Sequence, residues 1–383
     1  MFDDLVIYKV DSFIEPSNLH ELVNYALRNG VADGDLWHNY LTHLILSNEN
    51  YFSLACERRE APKNSLSEYA KRDLIYFSEL YRFAAHGNFQ FDFSENTDNP
   101  ICSLGKKIAQ SVTNPDAVFN LVTWYYKNYG VGIFAQNKAF RLDDSGKIEA
   151  VANVGNINLN DILGYEIQKS ELIANTEAFL NNKPANNVLL YGDGGTGKSS
   201  SIKALLNDYY GRGLRIIEIY RHQFKRIPEL VKNLRTRNYY FIIFIDDLSF
   251  EHDESEYKYL KAVIEGGIET RPDNILIYAT SNRRHLIREI WSDRDDMEHN
   301  GDVHRSDTLE EKLSLSSRFG IAINYSSPNR EMYHEIVKEL ARRAGINFDE
   351  AELLKGADAW EIKHGGKTGR AARQYIDYLS GRN

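Results

Sequence analysis

Four glycines, a lysine and a hydroxyl come together in Gly192-Asp193-Gly194-Gly195-Thr196-Gly197-Lys198-Ser199, the spacing of a phosphate-binding loop. The glycines leave no Cβ between the backbone N–H groups and an anion, and the start of a following helix, from Ser200 on, adds partial positive charge. Polyphosphate is the natural occupant. Lys198 would reach the β- and γ-phosphates as a point charge, and the Ser199 hydroxyl would ligate Mg²⁺. A second chemical stretch, Tyr240-Phe241-Ile242-Ile243-Phe244-Ile245-Asp246-Asp247, is an apolar run that ends in two carboxylates. Asp246 is the candidate Mg²⁺-side carboxylate, acting through ordered water, and Asp247 the candidate base or orienter of an attacking water. The run Ile275 to Ala279 ends likewise in Thr280-Ser281-Asn282, where the Asn282 amide can bond a γ-phosphate or water without adding charge.

These groups need a scaffold that brings strand ends together. Asn187 to Tyr191 suits a buried parallel strand, and Ser200 to Asp208 carries apolar residues at helical spacing, giving strand, loop and helix in order. Further strands are expected over 214–220, 240–245, 275–282 and 321–324, with helices over 167–181 and 227–234. Alternating strands and helices predict an α/β fold with a parallel sheet and crossover helices, its ligand at the carboxyl ends of the strands. Residues 326–383 read as helical, with Gly365 to Arg373 opening a terminal helix. Upstream, residues 1–130 read as a mainly helical domain, with apolar positions at helical spacing in 35–48, 67–84 and 115–127. Residues 131–154 read as a hairpin-like linker with strand candidates at 132–135 and 139–142, the turn Asp143 to Gly146, and a return over 148–154. The nucleotide-binding domain is thus expected over 155–325 and the helical lid over 326–383.

Composition narrows the classes. The 383 residues are 42% hydrophobic and 12% aromatic, enough for real cores, and a formal charge of −9 argues against general attraction to nucleic acid or anionic membrane. Cys56 and Cys102 match no metal or redox spacing and fit a reducing compartment. No leader pattern or long apolar run is present, so a cytoplasmic protein with no membrane partner is expected. The aromatic residues of the first 130, from Trp37 and Tyr40 to Trp124, Tyr125 and Tyr126, lack an interleaved basic stripe and read as packing rather than as platforms for bases. His20, His38, His43 and His86 have no ligand spacing. Trp291 to Lys312 is strongly acidic and reads as a loop, while Arg283-Arg284-His285 and Arg288 form a basic patch suited to phosphate or an acidic partner.

With these stretches in order, residues 155–383 resemble an AAA+ ATPase module. Asp246 to Glu251, Glu265-Gly266-Gly267 and Thr280 to Leu286 look, more closely, like a bacterial AAA+ family catalogued as a domain of unknown function. The resemblance implies ATP and Mg²⁺ as cofactors, phosphate and Mg²⁺ binding by Lys198 and Ser199, metal holding by Asp246, and Asn282 as the first sensor of nucleotide. Arg318, in Leu315-Ser316-Ser317-Arg318-Phe319-Gly320, resembles the arginine finger offered to a neighbouring subunit. Arg370 resembles the lid arginine that senses nucleotide within its own subunit, with Arg373 as the alternative, and Gly164 and Tyr165 resemble the adenine-side segment. Asp247 stands where many AAA+ proteins have glutamate, which implies slow, partner-dependent turnover. No aromatic-apolar-glycine pore loop follows the second strand. The expected function is therefore ATP hydrolysis by a homo-oligomer that remodels an unidentified protein target. Two alternatives are a nucleotide-switched DNA-binding or helicase-loader module, suggested by the paired aspartates and Arg283-Arg284, and a non-hydrolysing ATP-dependent scaffold.

Overall fold

The computed structural model describes residues 19–60, 64–83, 90–91, 100–249, 257–265, 272–282, 317–347 and 349–382. The chain divides into two compact units, Met1–Gln136 and Asn137–Asn383.

In the first unit the helices are α1 (Leu19–Arg28), α2 (Leu36–Ser47), α3 (Tyr51–Glu57), α4 (Asn64–Phe83), α5 (Pro100–Ser111), α6 (Pro115–Tyr129) and a single turn, α7 (Ile133–Gln136). Short polar side chains start them: Asp35 accepts from the His38 amide, Asn50 and Ser53 form a reciprocal capping box, and Asn114 caps α6 just ahead of Pro115. A two-residue ladder joins β1 (Gly34–Asp35) to β2 (Gln90–Phe91). Trp37, Tyr40, Phe52, Phe77, Tyr81, Tyr125 and Tyr126 are buried in one apolar core, so these aromatics pack; Tyr51, Tyr76 and Trp124 stay exposed. The strand expected at 132–135 is instead the turn α7, in which the Ala135 amide bonds the Gly132 carbonyl at 3.2 Å and Phe134 is buried. A four-residue apolar run fits either period, and the local hydrogen bond decides.

The second unit is built on a seven-stranded sheet with the order β4-β3-β6-β7-β8-β5-β9. The strands are β3 (Ala139–Leu142), β4 (Ile148–Ala150), β5 (Val188–Gly192), β6 (Leu214–Glu218), β7 (Tyr240–Ile245), β8 (Ile275–Ser281) and β9 (Ile321–Tyr325). All neighbours pair in parallel except β3 with β4. Crossover helices α8 (Glu166–Leu180), α9 (Lys198–Tyr209) and α10 (Ile227–Leu234) connect them, and α11 (Tyr257–Glu265) follows β7. The near-continuous Val, Ile, Leu and Phe of β5, β7 and β8 follow from burial on both faces. A lid of α12 (Arg330–Arg343), α13 (Glu350–Lys363) and α14 (Gly369–Ser380) has its own core around Tyr333, Val337, Ala357 and Ala372.

The hairpin expected as a linker forms, but it belongs to this sheet: Ala139 to Arg141 pair in parallel with Ile216 to Glu218 of β6. Phe140 and Leu142 are buried beneath it, which draws the hairpin into the second unit and sets the division at Gln136 rather than near residue 155.

Candidate nucleotide site

β5 lies between β8 and β9, while the next strand in sequence, β6, pairs on the far side of β7. The chain therefore reverses its direction of winding beside β5, and a crevice opens at the carboxyl ends of the strands. The phosphate loop leaves the end of β5 into this crevice. Leu190 and Tyr191 are in register with Thr280 and Ser281, so Asn282 emerges next to the loop; Phe244 and Ile245 align with Tyr278 and Ala279, so Asp246 and Asp247 emerge one strand further on.

The loop has the backbone that its glycines permit. Gly192, Gly195 and Gly197 have φ of 132°, 77° and 98°. A Cβ at Gly192 would stand 2.3 Å from the Tyr325 carbonyl oxygen, so close approach as well as φ requires glycine there. At Gly194 there is open space on the cavity side. Thr196 is buried, its hydroxyl donating to the Asp193 carbonyl at 2.8 Å. Lys198 is also buried, and its Nζ donates to the carbonyls of Gly192 (2.9 Å) and Asp193 (2.6 Å) and to Asn282 Oδ1 (3.1 Å). Burial pushes the Lys198 ammonium below its ordinary value, against the pull of the Asp193, Asp247 and Asp246 carboxylates.

Ser199 Oγ donates to Asp246 Oδ1 at 2.5 Å. The same carboxylate oxygen accepts from Thr280 Oγ1 at 2.6 Å, and Thr280 Oγ1 in turn accepts from the Asp247 amide at 2.9 Å. Asn282 Nδ2 donates to Asp247 Oδ1 at 2.9 Å. Asp247 holds a left-handed φ of 51°, and aspartate is among the few side chains that enter this region with little penalty. Among the described residues no three His, Cys, Asp or Glu form a metal cluster. A hydroxyl beside one carboxylate is nonetheless a hard-oxygen set suited to Mg²⁺, which is commonly held by one or two protein oxygens together with substrate phosphates.

One cavity of about 650 Å³ joins these groups. It is lined by Gly194 to Ser200, Asp246, Asp247, Thr280 and Asn282 on the sheet side, by Ile157, Ile162, Leu163 and Tyr165 at the entry segment, and by Ile336, Leu340, Arg370, Arg373, Gln374 and Asp377 of the lid. Gly164 and Tyr165 both have positive φ, 73° and 59°, and a Cβ at Gly164 would collide with Met332 of α12. Tyr165 stacks on Tyr325 at 5.0 Å between ring centres and donates its hydroxyl to the Ser326 carbonyl at 2.9 Å. The Arg370 amide bonds the Gly195 carbonyl at 3.2 Å, so the start of α14 rests on the phosphate loop.

Four expected residues stand apart from the cavity lining, Gly164, Gly192, Asp193 and Arg318, the first two as backbone positions beside it. Asp193 turns its carboxylate to the Ser327 amide, at 2.7 Å, which holds its carboxyl below the usual range. Arg318 precedes β9, and since Ile321 pairs with Val188 while Tyr325 pairs with Gly192, it sits at the opposite end of the strand from the phosphate loop. Gln374 and Asp377 went unmarked in the sequence, and Thr280 was marked only as part of a polar strand end. Only the pairing of β7 with β8 reveals that the Thr280 hydroxyl bridges the Asp246 carboxylate and the Asp247 amide. Arg283, Arg284, His285, Arg288 and the acidic segment 291–312 lie outside the described residues.

The family model described as "Protein of unknown function (DUF815)" matches residues 135–383. The chain belongs to this family. The matched DUF815 region covers the whole sheet and lid and begins at the boundary between the two units. No curated protein matches. Among solved structures, the chain is similar to a threonine-to-valine variant of RuvB from Thermotoga maritima, at 17% identity over 59% of this chain and 64% of that one, with a TM-score of 0.40. A proline-to-glycine variant gives 18%, 59%, 65% and 0.41, and the Thermotoga maritima RuvB Holliday junction branch migration motor gives 16%, 58%, 72% and 0.35. The chain thus spans just under two thirds of the first of these structures. This DUF815 member has an α/β P-loop fold with a C-terminal helical lid, carried by its parallel sheet and phosphate loop. No helix among the described residues is long and apolar enough to cross a membrane.

Proposed function

We propose that this protein is a Mg²⁺-dependent ATPase that works as a homo-oligomer and uses the nucleotide cycle to remodel a protein target. The observation that carries the reading is the convergence of Lys198, Ser199, Asp246, Asp247 and Asn282 at one cavity, faced by Arg370 and Arg373. Lys198 would exchange its loop carbonyls for β- and γ-phosphate oxygens. Ser199 and Asp246 would hold Mg²⁺, which supplies neutralisation of charge on the phosphates. Asp247 would orient the attacking water and accept its proton, with the Asn282 amide fixing the carboxylate. Gly164 and Tyr165 would shape the adenine side, with Ile157, Ile162, Ile336 and Leu340 offering apolar contact to the base. Arg370 and Arg373 would meet the phosphates from the lid, and Arg318, at the far end of β9, would serve the site of a neighbouring subunit.

ATP turnover per subunit, measured across a range of protein concentrations, tests this reading. A site completed by a neighbour gains specific activity as subunits assemble. No turnover at any concentration, with nucleotide still bound, would support a second reading, the ATP-dependent scaffold. One observation favours that alternative: Asp247 is the shorter acid and one of its oxygens already accepts from Asn282. A DNA-binding role would show itself as association that weakens steeply with salt.

A further inference from the structure

We propose that Asp193 is a positioning residue that couples the phosphate loop to the lid, by clamping the backbone where β9 passes into α12. The inference rests on the nucleotide site described above and assigns a role within it.

Asp193 is bonded in two directions at once. Its carbonyl faces the side chains of the phosphate loop, accepting from Lys198 Nζ at 2.6 Å and from the Thr196 hydroxyl at 2.8 Å. Its amide and carboxylate face the other way, to the Tyr325 carbonyl at 3.1 Å and to the Ser327 amide at 2.7 Å. Any phosphate that draws Lys198 away from the Asp193 carbonyl therefore alters the bonding of the peptide that carries this clamp.

The far side of the clamp is short and stiff. Only Pro328 and Asn329 separate Ser327 from Arg330, the first residue of α12. Pro328 has a fixed φ and biases Ser327 towards extended backbone, while Asn329 caps the helix by accepting from the Met332 amide at 2.8 Å. Ser326 is fixed in turn by the Tyr165 hydroxyl, and Asn324 by Gln168 Nε2 at 3.1 Å. A shift at Ser327 consequently has little slack to absorb it before the lid helix. At the other end of the lid, the Arg370 amide bonds Gly195, two residues from Asp193. The phosphate loop thus bonds both the segment that leads into the lid's first helix and the start of its last helix, and the Asp193 carboxylate is the side chain in the first of these contacts.

The test uses the full chain and the variants D193A, D193L and D193N. Nucleotide affinity is measured with Mg²⁺–ADP and a slowly hydrolysed ATP analogue, and amide hydrogen exchange reads residues 330–382 with and without nucleotide. In the wild type, bound nucleotide is expected to slow exchange across α12 and α14. D193A and D193L should bind nucleotide within about threefold of the wild type yet lose that protection, with kcat lower by about tenfold or more. D193N keeps an acceptor oxygen and should recover most of the protection. Two results would overturn the inference: full lid protection in nucleotide-bound D193A and D193L, or loss of nucleotide binding in both, which would make Asp193 part of the phosphate-holding loop itself. If the wild type bound no nucleotide, the site reading would fall and this inference with it.

Discussion

Thr280 ties one carboxylate and the backbone of the next residue to the strand between them and the phosphate loop: it donates to Asp246 and accepts from the Asp247 amide. Replacing it by valine keeps the shape of a buried side chain and removes both bonds, which lead to the exposed residues Asp246 and Asp247. T280V should lose about 0.5–1.5 kcal/mol of stability in urea unfolding, the usual net worth of a hydrogen bond whose partners can turn to water, and turnover should fall more than nucleotide affinity, because the acids lose their alignment. Lys198 gives the opposite pattern. Its three acceptors are loop carbonyls and an amide that phosphate oxygens would replace, so K198A should abolish measurable Mg²⁺–ATP binding while the fold, read by circular dichroism, is kept. That Lys198 and Ser199 share one loop was legible in the sequence because a fixed local spacing encodes it, and Asp246, which lines the same cavity, was marked as the end of an apolar run. The bridge at Thr280 and the clamp at Asp193 were not legible, since each depends on which strands are neighbours, and β8 and β9 lie far from the loop in sequence.

Helices and strands were legible where the period ran long or a cap marked the end, as at α10, whose bounds Ile227–Leu234 match the expected 227–234. Short apolar runs were not: Ile133 to Gln136 became a helical turn, and the hairpin at 139–150 joined a sheet whose other strands come later in the chain. Within α2 a buried histidine sets a pH limit on its own unit. His43 is 5% exposed, accepting at Nδ1 from the Tyr25 hydroxyl at 2.6 Å and donating from Nε2 to Gln136 Oε1 at 3.0 Å. Burial lowers its pKa from the ordinary value of 6.5, so the folded unit resists a proton that the unfolded chain accepts. The stability contributed by this neutral ring is complete above the unfolded value, near pH 6.5, and declines as pH falls from there through the folded pKa. The slope reaches at most about 1.4 kcal/mol per pH unit for one group. Hydrogen exchange of α1 and α2 between pH 7.5 and 5 should show the loss, and H43Q, which keeps polar groups but does not titrate there, should flatten it.

At the scale of the whole molecule, the phosphate loop and Arg318 stand at opposite ends of the paired strands β5 and β9, so a subunit cannot offer both to one phosphate. If Arg318 completes a neighbour's site, the two halves can be supplied by different chains. K198A would lack the loop lysine but still present Arg318, and R318A would bind ATP but lack the finger; each alone should be inactive or nearly so. Mixed in equal amounts and allowed to exchange subunits, they should regain about a quarter of wild-type turnover, since random head-to-tail pairing places an intact loop against an intact finger at about one interface in four. A finger that acted within its own chain would leave the mixture as inactive as its parts. The same outcome would follow if no assembly formed, and sedimentation of the mixture with ATP distinguishes the two: inactivity in an assembled mixture removes Arg318 from the site, whereas inactivity in dispersed subunits removes the oligomer. Nothing in the sequence could separate those cases, because the order Ser317-Arg318-Phe319 fixes where the arginine sits on its own strand but not what faces it.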